Sequence, residues 1–208
     1  MTKENQADSD AQIRRHNEKM AKKKAARDKI LATKTIEKGL LIVHTGKGKG
    51  KSTAAMGLAV RAIGNGMKVG IVQFVKGVWE TGERKVLERF PDLCVMRAMG
   101  EGFTWETQDK VRDIKAVEKA WRTARDMMAD DSFDMVILDE LNIALRYGYI
   151  DVAEILSVLS LRREMLHVVV TGRNAREELI EAADLVTEMT QIKHPFRSGV
   201  KAQAGVEF

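Results

Sequence analysis

One cysteine, two prolines and eleven aromatic residues among 208 positions exclude several kinds of protein. A lone thiol, Cys94, leaves no internal disulfide framework and no zinc or iron–sulfur site built from several cysteines of one chain. The four histidines, His16, His44, His167 and His194, are scattered and lack metal-site spacing. Two prolines beside 16 glycines rule out a collagen-like or proline-rich chain. No apolar run approaches the ~20 residues of a membrane helix. Met1–Asp10 is polar and lacks the apolar stretch of a secretory signal. A cytoplasmic protein without membrane association is expected. The apolar share is 44% and the charged share 31%, which is ordinary for a folded globular chain. The length fits one compact domain with an appendage.

The net charge of +5 belongs to one end. Residues 1–38 hold 11 Lys and Arg against 6 Asp and Glu, whereas residues 39–208 hold 24 of each. A basic arm raises nucleic acid as a partner. This arm mixes both signs and has no interleaved aromatic residues, so a solvated helix is the simpler expectation and no nucleic-acid binding is expected. Residues 10–37 contain neither Gly nor Pro and favour a helix by propensity.

From Gly39 onward, short apolar runs alternate with helical patterns. Leu40–Val43, Lys68–Val75, Leu93–Met99, Met135–Leu138, Val168–Val170 and Leu185–Met189 read as strands. Helices are expected around Ala55, Met56, Ala59, Val60 and Ile63, and over Glu83–Phe90. Two more follow, one along Val111, Ile114, Val117, Trp121, Ala124 and Met128, the other along Val152, Ile155, Leu156 and Leu159. A last one covers Glu177–Ala182. The strands are continuously apolar, the mark of a mostly parallel sheet covered on both faces. Ligands of such sheets bind at the carboxyl ends of the strands. Cys94, Trp121, Met127 and Met128 read as core residues and His194 as structural.

The strand–loop–helix at 40–63 carries the strongest chemical signal. Closely spaced glycines let backbone N–H groups converge on phosphate oxygens, and the following helix points its positive end at them. Lys51 supplies a point charge, and the Ser52 hydroxyl suits Mg²⁺. Gly50-Lys51-Ser52 fits the phosphate-loop pattern, but Thr45 stands where its first glycine is usual. Asp139-Glu140 ends an apolar strand, where phosphate-binding folds hold Mg²⁺; capping the next helix is the alternative role. An Asn-Lys-x-Asp guanine-reading motif is absent. Gly100–Thr107 holds Phe103 and Trp105, which either cover a flat apolar ligand or pin the loop to the core. These features specify a nucleoside triphosphate with Mg²⁺ and leave the reaction open.

Several segments then occur in a fixed order. They are Thr45-Gly46-Lys47-Gly48-Lys49-Gly50-Lys51-Ser52-Thr53-Ala54-Ala55, Val72-Gln73-Phe74-Val75-Lys76-Gly77, Gly82-Glu83-Arg84, Gly102-Phe103-Thr104-Trp105-Glu106-Thr107, Leu138-Asp139-Glu140-Leu141 and Gly199-Val200-Lys201-Ala202-Gln203. Together they resemble the ATP:corrinoid adenosyltransferases of the P-loop type, over about residues 39–208. The resemblance implies a P-loop, RecA-like three-layer α/β sandwich over 39–208, preceded by a basic helical arm over 1–38. It implies an alkyl-type transferase that moves the 5′-deoxyadenosyl group of ATP to the Co(I) centre of a corrinoid and releases triphosphate. Cob(I)yrinic acid a,c-diamide, cobinamide and cobalamin are the candidate substrates. Lys51, Phe103 and Trp105 take the catalytic roles, with the two rings displacing the lower axial ligand of cobalt. Gly46, Lys47, Gly48, Lys49, Gly50, Lys51, Ser52, Thr53, Arg61, Gln73 and Lys76 are the implied nucleotide contacts. Ser52, Asp139 and Glu140 are the implied holders of Mg²⁺ or Mn²⁺. A homodimer and a reduced flavin or flavodoxin as electron donor also follow from the resemblance. Two positions depart from the family pattern: Lys47 replaces a small polar residue, and Ser52 replaces Thr. Three other readings use the same loop: a small-molecule kinase, a nucleotide-dependent corrinoid escort, and a nucleic-acid-stimulated ATPase.

Overall fold

The computed structural model describes residues 3–75, 81–99 and 109–207. Two compact units emerge, Met1–Glu37 and Lys38–Phe208. The first is helix α1, Lys3–Ala32, which starts earlier and ends sooner than the composition of residues 10–37 predicts. Only a few large apolar side chains (Ile13, Met20, Ile30, Leu31) punctuate its 30 residues, most of them polar or charged.

The second unit alternates strand and helix. In chain order these are β1 (Leu41–Thr45), α2 (Lys51–Gly64), β2 (Val69–Gln73), α3 (Gly82–Leu87), β3 (Cys94–Ala98) and α4 (Lys110–Ala129). Then come β4 (Met135–Asp139), α5 (Leu141–Arg146), α6 (Val152–Ser160), β5 (His167–Thr171), α7 (Glu177–Ala182) and β6 (Leu185–Glu188). A 3₁₀ turn follows at Pro195–Ser198. The six strands form one sheet in the order β3-β2-β4-β5-β1-β6, and every pair is parallel.

Strand side chains alternate between two cores. Leu41, Val43, Val72, Val136, Leu138, Val168 and Val170 face α4, α5, α6 and α7. Ile42, Val69, Ile71, Met135, Ile137 and Val169 face α2 and α3. Burial on both faces explains why the central strands read as unbroken apolar runs. The result is the three-layer α/β sandwich expected from the sequence. Cys94 lies in the second core, and burial, with the Glu88 carboxylate adding to it, pushes its thiol up to about 11. It is an unreactive core thiol. Trp121 is buried in the first core and its indole N–H donates to Glu154 Oε1 at 2.8 Å. Met127 and Met128 join it there. His194 caps the 3₁₀ turn, its Nδ1 accepting from the Phe196 N–H at 3.2 Å.

Two residues expected on buried faces are exposed, Val60 and Val111. At 100° per residue, Val60 lies about 40° beyond the arc that α2 buries, and Val111 lies about 80° outside that of α4. The sequence pattern does not predict helix α5, which is only six residues long; its N-cap, Glu140, makes no side-chain capping bond.

Candidate functional site

The loop between β1 and α2 lies at the carboxyl edge of the sheet. Thr45 is still part of β1, paired with Glu188, and its Oγ1 accepts from the Ala175 N–H at 3.0 Å. A strand residue needs no glycine, which explains the departure from the usual pattern. The glycine requirement moves one residue on. Gly46 has φ 96°, and a Cβ there would lie 2.4 Å from the Met189 carbonyl oxygen. Gly48 packs on the same segment after β6, its N–H donating to the Met189 carbonyl at 2.6 Å. Gly50, at φ 106°, turns the chain into α2. Both turns sit where only glycine is unstrained.

Lys51 opens α2 and is buried. Its Nζ donates to the carbonyls of Gly46 at 2.9 Å and Gly48 at 2.6 Å. The ammonium therefore lies inside the loop that it closes, at the positive end of a 14-residue helix. Ser52 follows on the first turn, and Thr53 is exposed beside it. Lys47 is exposed, whereas Lys49 is ion-paired with Glu207.

A row of polar side chains crosses the sheet below this loop. Strand register sets Gln73 beside Asp139, and His44 beside Thr171 and Thr187. Asp139 is fully buried. Its Oδ1 accepts from Thr171 Oγ1 at 2.7 Å and its Oδ2 from Gln73 Nε2 at 3.0 Å. Thr171 Oγ1 in turn accepts from the Glu140 N–H at 2.9 Å. Glu140 adopts φ 65°, a left-handed conformation that costs a non-glycine residue about 1 kcal/mol or more. Its carboxylate packs against Gly172, where an added Cβ would come within 3.2 Å of Oε2. The backbone strain turns the chain sharply out of β4 and keeps the Asp139–Glu140 pair at the edge.

Of the residues proposed from sequence, the structure brings together Gly46, Gly48, Gly50 and Lys51 in one loop, with Ser52 and Thr53 on the following turn. Asp139, Glu140 and Gln73 share one hydrogen-bonded cluster. Arg61 is exposed in the last turn of α2, ten residues and about 15 Å along the helix from Lys51, so the structure does not bring it to the loop. Lys76, Phe103 and Trp105 lie outside the described residues. Sequence reasoning missed Thr171, His44, Met189 and Glu207. Thr171 and His44 do end apolar strands, a usable signal; Met189 and Glu207 reach the loop only through tertiary contacts.

The chemistry of the cluster fits Mg²⁺, a hard cation that takes a carboxylate or two, a hydroxyl and phosphate oxygens. Among the described residues no group of three or more His, Cys, Asp or Glu could hold a metal by itself.

The region from residue 37 to residue 208 matches the family model described as ATP:corrinoid adenosyltransferase BtuR/CobO/CobP. This chain belongs to that family. Residues 4–31 match a separate model, the cob(I)alamin adenosyltransferase N-terminal segment, over most of α1. A corrinoid adenosyltransferase of Sinorhizobium sp is 62% identical over 93% of this chain and 92% of its own length. One of Pseudomonas aeruginosa is 53% identical over 93% and 96% of the two chains. The corrinoid adenosyltransferase CobA of Salmonella typhimurium is 42% identical over 93% and 98%. No helix among the described residues is long and apolar enough to cross a membrane.

His44 has a different kind of consequence. It is only 7% exposed, and neither ring nitrogen has a hydrogen-bond partner. Burial holds its pKa below the ordinary 6.5. The folded state therefore resists protonation more than the unfolded chain does. Stability is full above pH 6.5 and falls as the pH drops below it, by at most about 1.4 kcal/mol per pH unit. His44→Leu removes two unsatisfied polar atoms at similar side-chain volume. It should raise stability by about 1 kcal/mol at pH 7 and more at pH 5.5. Urea denaturation of both proteins at the two pH values measures this. A variant less stable at pH 5.5 would show that His44 is satisfied.

Proposed function

We propose that this chain transfers the 5′-deoxyadenosyl group of ATP to the cobalt of a reduced corrinoid and releases triphosphate. The observation that carries this reading is the lysine-rich loop, with Lys51 buried inside it above the Asp139–Thr171–Gln73 cluster, in a chain of the adenosyltransferase family. A Co(I) corrinoid is a strong nucleophile, so attack on the 5′ carbon needs no general base. The bond that forms is cobalt–carbon, and the bond that breaks joins the 5′ carbon to the α-phosphate oxygen. The protein's task is to position the two substrates and to stabilise the charge that develops on the leaving triphosphate. Loop residues 46–50 present backbone N–H groups other than that of Gly48, which Met189 holds, and Lys47, Lys49 and Lys51 supply charge. Ser52, Asp139 and Glu140 would hold Mg²⁺, which supplies further charge neutralisation when bound.

In the same reading, Phe103 and Trp105 cover the corrinoid and leave cobalt without its lower ligand, which eases reduction of Co(II). Lys76 and Gln73 border the nucleotide. The enzyme works in the cytoplasm as a homodimer, with a reduced flavin or flavodoxin as electron donor.

The test is an anaerobic reaction with ATP, Mg²⁺ and a chemically reduced corrinoid. Loss of the Co(I) absorbance with a light-sensitive cobalt–carbon product and one triphosphate per turnover is expected. ADP or orthophosphate without a cobalt–carbon bond would instead identify a kinase or ATPase.

A further inference from the structure

The chain's penultimate residue touches the nucleotide loop. After β6 the backbone passes beneath Gly46 and Gly48 at Met189–Thr190 and turns at Pro195–Ser198. It closes with a second turn, in which the N–H groups of Val206 and Glu207 donate to the Gln203 carbonyl at 3.2 and 2.9 Å. Gly205, at φ 79°, permits that turn. It delivers the Glu207 carboxylate, 16% exposed, to the ammonium of Lys49, 158 residues away in sequence.

We infer that Glu207 sets the affinity of the loop for the triphosphate leaving group by competing with it for Lys49. This rests on the proposed reaction, in which the product is a polyanion held by three lysines and a cradle of backbone N–H groups. Such a product threatens to stay bound, and release limits many enzymes. A tethered carboxylate is present at high local concentration. It neutralises Lys49 when the phosphates are absent, so each binding event must give up that ion pair, and each release regains it. Lys51, whose ammonium is bound to loop carbonyls, remains the fixed cation; Lys49 is the shared one.

Calorimetric titration of the full-length protein with inorganic triphosphate and Mg²⁺ tests this. Glu207→Gln keeps the side-chain shape and removes the charge, and should tighten triphosphate binding about fivefold, the scale of one partly exposed ion pair. Glu207→Asp, which retains the charge, should stay within twofold of the wild type. In a Lys49→Met background the Gln substitution should change the affinity by less than twofold, because a tail that merely props the fold would act whether or not Lys49 is present. Unchanged or weaker binding in Glu207→Gln, or equal tightening in both backgrounds, would overturn the inference and leave the functional reading standing. A wild-type protein that binds no triphosphate would overturn both.

Discussion

Lys51→Met should lower the rate of adenosyl transfer to chemically preformed Co(I) corrinoid at least 100-fold while leaving the fold in place. The scale follows from removing one preorganised donor at a site of developing charge, which costs about 10²–10³ in rate. Lys51 is more committed than a surface cation. Its ammonium is buried and bound at 2.9 and 2.6 Å to the carbonyls of Gly46 and Gly48. That geometry shapes the loop and, in the proposed reaction, holds the charge where the phosphates must lie. Methionine matches the length and apolar stem, so the packing on α2 survives while the charge and the hydrogen bonds to Gly46 and Gly48 are lost. Using preformed Co(I) removes cobalt reduction from the measurement, so a slow reaction reports on the leaving-group end alone. Thermal unfolding of the variant checks the fold. Activity within tenfold of the wild type, in a folded protein, would remove Lys51 from the leaving-group clamp.

The loop was legible because its signal is local. Three glycines, three lysines and a serine lie within seven residues, between an apolar strand and an amphipathic helix. The parallel sheet was legible for a related reason: the central strands are buried on both faces, so Val136–Leu138 and Val168–Val170 carry no polar residue to break the run. The cluster below the loop was half legible. Asp139 ends a visible strand, but its partners come from β2 and β5, 66 and 32 residues away. Only the strand order β2-β4-β5 makes Gln73, Asp139 and Thr171 neighbours. No spacing in the sequence encodes that order. Glu207 is the extreme case, since nothing near it in sequence marks it as a partner of a lysine in the first quarter of the chain. Arg61 marks the limit of closeness in sequence: its helix follows the loop directly, yet ten residues of helix set it about 15 Å from Lys51.

Asp139→Asn is the second substitution with a large expected effect, and its hydrogen bonds make it a clean deletion of charge. Thr171 Oγ1 accepts from the Glu140 N–H, so its own proton is committed to Asp139 Oδ1. An asparagine carbonyl can keep that bond. On the other side, Gln73 donates its amide N–H to Oδ2 at 3.0 Å. Turning the Gln73 amide over presents its oxygen to the new Asn N–H instead, so no buried donor faces another. The fold should therefore lose less than about 1 kcal/mol. Asp139→Ala has no such escape. It strands the Thr171 hydroxyl proton and the Gln73 amide N–H in a buried site, at about 1–3 kcal/mol for each unsatisfied donor. Both substitutions should cut Mg²⁺-dependent turnover at least 100-fold, because each removes the carboxylate that would hold the ion against the triphosphate. The comparison separates the two roles of the residue. Equal stability loss in both variants would mean that the network does not adapt through Gln73. A stable Asp139→Asn protein with wild-type turnover and an unchanged Mg²⁺ requirement would confine Asp139 to structure and leave Ser52 and Glu140 to hold the ion.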